Sequence, residues 1–202
     1  FCSMRLIKMA SVSSSVSSSL FKVIIAPGNG CEDIRRSNWY GSLHADLVAS
    51  GIDCVCENFP DPYAAKRSVW LPFIESLGTD ENTVIVGHSS GAQAALRYAE
   101  NHPLKAVVLV AATFTDLGDQ GERASGYYPQ GEENPYDFEA MRANVPIWHQ
   151  FHSDNDPFIP LEEAERIRDG LGLTDTYHML PRRSHFFSMF PELIDVITAL
   201  KV

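Results

Sequence analysis

Long apolar runs are missing from this chain of 202 residues, and basic residues are few relative to acidic ones. No apolar run approaches the roughly 18 residues that a membrane-spanning helix needs, which argues against a membrane-spanning protein. Sixteen basic and 26 acidic residues give a formal net charge of −10 at pH 7. Because a surface with that charge repels phosphate backbones, we expect no nucleic acid as a partner, and the lack of a long apolar run predicts no membrane partner.

Cysteine is also scarce, with four residues at positions 2, 31, 54 and 56. Cys54 and Cys56 are two positions apart in a β-like run, so they share a face of the strand and are badly placed to bond each other. The spacings match neither a disulfide framework nor a zinc site. Reduced thiols favour a cytoplasmic protein.

Signatures of cofactor and metal sites are missing as well. The glycine-rich segment 27–30 contains neither G-x-G-x-x-G nor a P-loop lysine. Four potential metal ligands lie close together in the sequence: His149, His152, Asp154 and Asp156. On a strand, positions 149 and 152 point to opposite faces, which argues against shared ligation. We therefore expect no cofactor and no metal.

The first twenty residues contain no acidic residue but eight serines, together with Arg5 and Lys8. This composition predicts a disordered serine-rich leader or an added extension, with an organelle transit peptide as the alternative. No apolar stretch of the kind found in secretory signals follows Lys8. We expect residues 21–202 to form a single domain, which is long enough to bury a sizeable core. The expected location is cytoplasmic, or an organelle if the serine-rich segment directs import.

From residue 22 onward, short apolar runs alternate with helix-like stretches. Runs such as Val84–Val86 and Val107–Val110 are nearly continuous, which is typical of strands buried on both faces of a parallel sheet. The predicted strands are 22–26, 52–58, 83–87, 106–111, 146–151 and 175–180. The predicted helices are 37–50, 63–77, 90–101, 161–171 and 190–201. This alternation predicts βαβ units and a doubly wound, mostly parallel six-stranded sheet with helices on both faces.

The stretch 113–135 interrupts this alternation. It is polar, contains four glycines and two prolines, and has no periodic apolar stripe. It leaves the end of the fourth predicted strand, close to the expected active site. Long loops of this kind are either functional lids or mobile excursions, and the sequence leaves both open.

The segment Gly87-His88-Ser89-Ser90-Gly91 matches the G-x-S-x-G pattern of a nucleophile elbow. In that motif the chain turns sharply from a strand into a helix, the serine is strained at the tip, and the glycines let neighbouring segments approach. Residues 83–86 predict a buried strand and residues 92–99 a helix, which is the setting that the motif needs. Ser89 is therefore the candidate nucleophile, with a purely structural serine as the alternative.

A serine hydroxyl needs a base to take its proton, and in this fold the acid and then the histidine follow the serine along the chain. The loop after the fifth predicted strand holds Asp154 and Asp156. We favour Asp156 as the acid because Pro157 fixes the backbone directly after it, and we interpret Asp154 as a loop residue.

The base is expected after the last predicted strand, where His185 precedes the final helix. The other histidines lie in predicted helices, strands or caps, or before the acid: His44, His88, His102, His149, His152 and His178. In particular, we interpret His88 as the variable residue of the elbow and His102 as a helix cap. His185 is therefore the candidate base.

The developing oxyanion needs donors that are already in place. The backbone N–H after the nucleophile, that of Ser90, is one candidate. The second is expected from the loop after the first strand, Pro27-Gly28-Asn29-Gly30, where glycine allows the backbone to approach a substrate. We select the backbone N–H of Asn29.

Several motifs in this order resemble the retinoblastoma-binding serine hydrolase family of small α/β-hydrolases, over about residues 22 to 202. The motifs are Pro27-Gly28-Asn29-Gly30, Trp39-Tyr40-Gly41, Pro60-Asp61-Pro62, Trp70-Leu71-Pro72-Phe73, Gly87-His88-Ser89-Ser90-Gly91, Asp116-Leu117-Gly118, Glu122-Arg123-Ala124-Ser125-Gly126-Tyr127 and Asp156-Pro157-Phe158-Ile159-Pro160. The resemblance implies an α/β-hydrolase fold with little or no cap domain. It also implies a catalytic triad, which falls on Ser89, Asp156 and His185.

The sequence departs from the family pattern in three places. His152 and Ser184 stand where glycines are expected beside the acid and the base, and both are expected to crowd the site. The mammalian member of the family is known for an L-x-C-x-E motif that binds pocket proteins. The matching stretch here, Leu77-Gly78-Thr79-Asp80-Glu81, has Thr79 in place of the cysteine, which argues against pocket-protein binding.

Together these features predict a serine hydrolase that cleaves an ester or amide of a small molecule through an acyl-enzyme intermediate. A binding or scaffold protein on a hydrolase fold is the alternative, and the complete set of triad residues argues against it. An acyltransferase that uses the same triad is a further alternative, which would need a pocket for a second acceptor.

Overall fold

Six parallel strands form the centre of the fold in the computed structural model, which describes residues 21–201. The strands are β1 (Lys22–Ala26), β2 (Asp53–Val55), β3 (Thr83–His88), β4 (Ala106–Val110), β5 (Ile147–Ser153) and β6 (Tyr177–Leu180). Their spatial order is β2-β1-β3-β4-β5-β6, and each neighbouring pair is parallel. The predicted six-stranded, doubly wound sheet is confirmed.

Helices cover both faces of this sheet. They are α1 (Tyr40–Ala49), α2 (Arg67–Ser76), α3 (Ser90–Ala99), α4 (Gln120–Ser125), α5 (Phe138–Asn144), α6 (Leu161–Leu171) and α7 (Pro191–Ala199). Side chains of α1 and α7 pack in one apolar cluster, and those of α2, α3 and α6 pack in the other. Strand β4 contributes Val108 and Val110 to the first cluster and Val107 and Leu109 to the second. This alternation explains why the strand reads as a continuous apolar run.

The two short helices α4 and α5 were missed by the sequence analysis. The expectation that 113–135 lacks regular structure was wrong over residues 120–125, which form α4. Asp119 caps α4 by accepting from the backbone N–H of Glu122. Asp137 likewise caps α5 by accepting from the backbone N–H of Ala140. Helices of six and seven residues are too short to show an apolar stripe, so local capping is their main sequence signature.

The carboxyl ends of the parallel strands lie at one edge of the sheet, where ligands bind in folds of this type. Asn29 follows β1, Ser89 follows β3, Asp156 follows β5 and His185 follows β6. The topology therefore brings the candidate residues to the same edge, although they are far apart in the sequence.

The predicted serine-rich leader, residues 1–20, lies outside the described residues. Within residues 21–201, no helix has the length and apolar character that crossing a membrane would require.

Candidate active site

Ser89 lies at the turn between β3 and α3 in a backbone conformation that is rare for residues with a side chain. Its φ is 54° and its ψ is −118°, and its backbone N–H donates to the carbonyl of Val110 at 2.9 Å. A non-glycine residue in such a conformation costs on the order of 1–3 kcal/mol and is kept only where the surroundings enforce it. The strained serine expected of a nucleophile elbow is therefore present.

The two glycines of the elbow are required by close packing. A β-carbon on Gly87 would lie 2.5 Å from the carbonyl oxygen of Gly91. A β-carbon on Gly91 would lie 2.1 Å from the carbonyl oxygen of Ala26 in β1. Both obstacles are backbone atoms, so neither can move aside as a side chain would. Close approach of neighbouring segments therefore requires glycine at both positions, as the sequence motif predicts.

Asp156 and His185 are joined by a hydrogen bond of 2.8 Å between Oδ2 of the aspartate and Nδ1 of the histidine. Because an ionised carboxylate only accepts, Nδ1 carries the proton and Nε2 remains as the ring atom that can accept one. The second oxygen, Oδ1, accepts from the backbone N–H groups of Phe158 at 2.9 Å and Ile159 at 3.1 Å. The acid is thus held by the turn that follows it.

Burial alone would raise the pKa of Asp156. The hydrogen bond and charge of His185, together with the two backbone N–H donors, outweigh that effect and hold the pKa below its usual range. Asp156 is therefore ionised at neutral pH, as the orienting acid of a histidine base must be.

The loop that carries His185 is held by the loop that carries Asp156. Asp154 accepts from the backbone N–H of Arg182 at 2.7 Å, and Asn155 accepts from that of Ser184 at 2.8 Å. Asp154, interpreted from the sequence only as a loop residue, thus has a definite structural role. That role depends on a hydrogen bond between residues 28 positions apart, which no local sequence pattern predicts.

Ser184 has a φ of 51°, in the left-handed region that favours glycine. This explains why glycine is expected at that position. The expected crowding is not seen, because neither Ser184 nor His152 is among the residues that line the cavity at the site. His152 is instead a fully buried side chain of β5.

A cavity of about 330 Å³ opens at this edge of the sheet. Its walls combine candidate catalytic residues with aromatic, aliphatic and acidic side chains: Gly28, Asn29, Asn38, His88, Ser89, Thr113, Leu117, Glu122, Tyr128, Phe158, Ile159, His185 and Phe187. Ser89 and His185 therefore face the same space. Within residues 21–201 the structure gives no hydrogen bond between the Ser89 hydroxyl and the His185 ring, and such bonds often tighten only when substrate binds.

The two candidate oxyanion donors belong to segments that adjoin Ser89. Asn29 lines the cavity, and a β-carbon on the preceding Gly28 would come within 3.4 Å of the Ser89 β-carbon. Ser90 is the first residue of α3, so its backbone N–H has no acceptor within the helix. Asn29 and Ser90 also line a smaller adjoining cavity of about 160 Å³.

The 113–135 segment begins at an anchor that the sequence analysis missed. Oε2 of Glu163, in α6, accepts from the backbone N–H groups of Phe114 at 2.9 Å and Thr115 at 2.6 Å, and from the Thr113 hydroxyl at 3.0 Å. One carboxylate oxygen thus fixes the point at which the segment leaves β4.

The other end of this segment is anchored by Arg97, a buried arginine of α3. Its guanidinium donates to the carbonyls of Tyr127 at 2.6 Å, Asn134 at 2.7 Å and Pro135 at 2.8 Å. It also pairs with Glu100 at 2.6 Å. Between the two anchors, Leu117, Glu122 and Tyr128 of the segment form part of the cavity wall.

Within residues 21–201, the histidines other than His88 and His185, and all the cysteines, are absent from the lining of this cavity. His102 bonds the carbonyl of Tyr98 at 2.9 Å, which confirms its predicted capping role. His149 and His178 bond each other at 3.0 Å on neighbouring strands. In the part of the chain that the structure describes, no three His, Cys, Asp or Glu side chains are grouped so that they could hold a metal ion, and the thiols of residues 31, 54 and 56 are free and buried.

A strained serine after a central parallel strand, with an acid–histidine pair at the same edge, defines an α/β-hydrolase. Residues 23–189 match the α/β hydrolase family, and the chain belongs to that family. It is 43% identical over 182 residues to the serine hydrolase RBBP9 of Rattus norvegicus. The aligned region covers 89% of this chain and 95% of that protein. The resemblance to the retinoblastoma-binding serine hydrolases is thereby confirmed, and the chain is a serine hydrolase.

Solved structures share the fold. The ydeN gene product of B. subtilis has a TM-score of 0.77 at 20% identity and covers 89% of this chain and 98% of that one. The esterase domain of a Rhodothermus marinus protein has a TM-score of 0.61 at 17% identity and covers 92% and 86%, respectively. At these identities the likeness concerns the fold alone.

Proposed function

We propose that this serine hydrolase cleaves an ester or amide of a small molecule through an acyl-enzyme, with Ser89, His185 and Asp156 as its catalytic triad. The observation that carries the proposal is the Asp156–His185 hydrogen bond, which leaves the proton-accepting Nε2 on a ring that lines the same cavity as the strained Ser89. A cavity of about 330 Å³ suits a small substrate.

The reaction begins when Ser89 Oγ attacks the substrate carbonyl and His185 Nε2 takes its proton. Asp156 holds the imidazole in the required tautomer and stabilises the imidazolium that forms. The backbone N–H groups of Asn29 and Ser90 donate to the oxyanion.

Collapse of the tetrahedral intermediate releases the alcohol or amine, which takes the proton from His185. A water molecule, activated by the same histidine, then attacks the acyl-enzyme. The products are the free carboxylic acid and regenerated Ser89, and each step balances without a cofactor.

The 113–135 segment is proposed to be a wall of the substrate cavity rather than a mobile excursion. The support is its double anchorage by Glu163 and Arg97, together with the cavity-lining side chains between the anchors. Substrate enters beside this wall, where Leu117 and Phe158 are exposed.

We also propose a cytoplasmic location. The support is that the three cysteines within residues 21–201 are free and buried, a state that a reducing compartment maintains. Fractionation of cells that express the full chain tests this, and recovery of the protein in an organelle would favour import through the serine-rich segment.

The triad is tested with Ser89→Ala and with Ser76→Ala, an exposed serine at the end of α2, as the matched control. A fluorophosphonate probe should label the wild type and the control but not Ser89→Ala. Turnover of a small chromogenic ester by Ser89→Ala should fall by about 10⁴-fold or more. Wild-type turnover in a folded Ser89→Ala protein would overturn the proposal, and a folded wild type that neither labels nor turns over would favour the binding-protein alternative.

A further inference from the structure

His88, which precedes the nucleophile in the elbow, is buried and bonded through both ring nitrogens. Its Nδ1 lies 2.6 Å from the hydroxyl of Tyr40, and its Nε2 lies 2.9 Å from the backbone carbonyl of His185. The residue is only 1% exposed. His88 occupies the variable position of the G-x-S-x-G motif, and its ring connects helix α1 with the loop of the candidate base.

The partners of His88 determine where its proton lies. A carbonyl oxygen only accepts, so Nε2 carries the proton and donates to His185. In the neutral ring Nδ1 is then an acceptor, and the Tyr40 hydroxyl donates to it. Burial, together with the neighbouring charge of His185, lowers the pKa of His88 to about 3, so the ring is neutral under ordinary conditions.

The Tyr40 hydroxyl is also an acceptor, and it binds the loop after β1. The backbone N–H of Gly28 donates to it at 2.9 Å, and the side-chain amide of Asn38 donates at 3.1 Å. Gly28 directly precedes Asn29, the candidate oxyanion donor. A continuous chain of hydrogen bonds therefore joins the backbone carbonyl of His185, through His88 and Tyr40, to the backbone N–H of Gly28.

The loop between β6 and α7, which carries His185, has a strained backbone that needs hydrogen bonds from its surroundings. Three of its non-glycine residues have left-handed φ values between 51° and 58°: Arg182, Ser184 and Phe186. Conformations of this kind persist where surrounding contacts enforce them. His88 holds the carbonyl of His185, and the indole N–H of Trp39 holds the carbonyl of the next residue at 2.8 Å.

We propose that Tyr40 and His88 are positioning residues that fix the base His185 relative to the oxyanion donor Asn29. This inference rests on the proposed function, because it presupposes those two roles. Tyr40 and His88 act through the His185 backbone and through Gly28, not on the reacting atoms. A displacement of about 1 Å between reacting groups lowers the rate by about 10²-fold. Loss of these hydrogen bonds should therefore lower kcat.

The first test compares Tyr40→Phe with Tyr98→Phe as a matched control. Tyr98 also has a hydrogen-bonded hydroxyl, but its partner is Thr79, outside the cavity. On a small chromogenic ester, kcat of Tyr40→Phe should fall about 10- to 100-fold while KM stays within about twofold. Tyr98→Phe should keep the wild-type kcat. A purely structural role for Tyr40 would lower the unfolding free energy and leave kcat of the folded protein unchanged.

A second variant, His88→Leu, removes both ring nitrogens and is expected to lose turnover to a similar extent. Ser89→Ala, measured beside it, reports on the proposed function itself. If Ser89→Ala is inactive while folded Tyr40→Phe and His88→Leu turn over like the wild type, the positioning inference is wrong and the proposed function stands. If Ser89→Ala remains active, the proposed function fails first.

Nitrogen NMR of the wild type examines the hydrogen bonds without any substitution, so the inference remains testable if a variant fails to fold. The His88 ring should be neutral and protonated at Nε2. A ring protonated at Nδ1 would break the chain of donors and overturn the inference.

Discussion

The carboxylate of Asp154 accepts a 2.7 Å hydrogen bond from the backbone N–H of Arg182, three residues before the candidate base His185. Asp156 bonds the ring of that histidine instead. The two aspartates therefore act on the same loop in different ways, since one holds its backbone and the other holds the imidazole. Removing their charges separately should have very different consequences.

Asp156→Asn is expected to lower kcat by about 10³- to 10⁴-fold, because the amide favours the wrong tautomer of His185. Asp154→Asn is the matched control, and it should cost far less because its amide oxygen can still accept from the Arg182 N–H. Steady-state kinetics on one ester substrate at fixed pH makes the comparison. A larger loss for Asp154→Asn would mean that the acid has been assigned to the wrong residue.

The sequence predicted those parts of the site that local patterns determine. Residues 84–86 of β3 are continuously apolar because the strand is buried on both faces. The elbow requires glycine at positions 87 and 91 because a β-carbon there would collide with backbone atoms. Asp156 could be favoured over Asp154 as the candidate acid because a proline fixes the turn directly after it, and Asp156 is the one of the two that bonds the His185 ring.

The missed features depend on contacts between residues that are distant in sequence. Arg97 meets Tyr127, and Tyr40 meets His88 across 48 positions, without any spacing rule that links them. The sequence of α3 does not distinguish a buried arginine from a solvent-exposed one, because the carbonyls that Arg97 binds lie in a distant segment. Short capped helices such as α4 escape for a different reason, since six residues are too few for a period.

Arg97→Leu should destabilise the protein by about 3–5 kcal/mol, because it removes the guanidinium donors from three carbonyls and breaks the short ion pair with Glu100. Arg97→Lys should rescue only part of this loss, since one ammonium group cannot reproduce the planar guanidinium. Arg36→Ala, at an arginine whose side chain is 87% exposed, is the control and should change stability by less than about 0.5 kcal/mol. Urea unfolding measures all three, and an unchanged midpoint for Arg97→Leu would contradict the proposed anchorage of the 113–135 segment.

Stability should fall as the pH drops below about 6.5, because four histidines are held neutral in the fold. Burial lowers the pKa of each: His88 to about 3, His149 to about 4, and His152 and His178 below their usual value. The unfolded chain takes up protons at the ordinary pKa while the folded chain does not, so acid favours unfolding. The stabilisation is complete above about pH 6.5 and is lost as the pH falls towards the folded values.

Urea unfolding at several pH values between about 7 and 4 measures this dependence. A fully buried neutral histidine contributes up to about 1.4 kcal/mol per pH unit, and the partly exposed His149–His178 pair contributes less because solvent screens it. The double variant His149→Phe/His178→Phe should therefore show a shallower slope than the wild type. An identical slope would mean that this pair does not titrate as described.

Pocket-protein binding through residues 77–81 is expected to be absent, because the fold holds this segment in place. The Thr79 hydroxyl bonds that of Tyr98, and the Lys22 ammonium donates to the carbonyl of Leu77 at 2.8 Å. Gly78 has a φ of 73°, which is not the extended conformation that an L-x-C-x-E peptide adopts. Binding would require these contacts to break and would then bury the Thr79 hydroxyl where the motif has a cysteine.

Burying that hydroxyl without a partner costs roughly 1–3 kcal/mol, or about one to two decades of affinity. The measurement is a calorimetric titration of a purified retinoblastoma-type pocket domain with the wild type and with Thr79→Cys, and an L-x-C-x-E peptide serves as the positive control. The wild type should show no binding at micromolar concentrations. Thr79→Cys should remain much weaker than the peptide, because the contacts of Lys22 still hold the segment. Sub-micromolar binding by the wild type that Leu77→Ala abolishes would show that the segment can leave the fold after all.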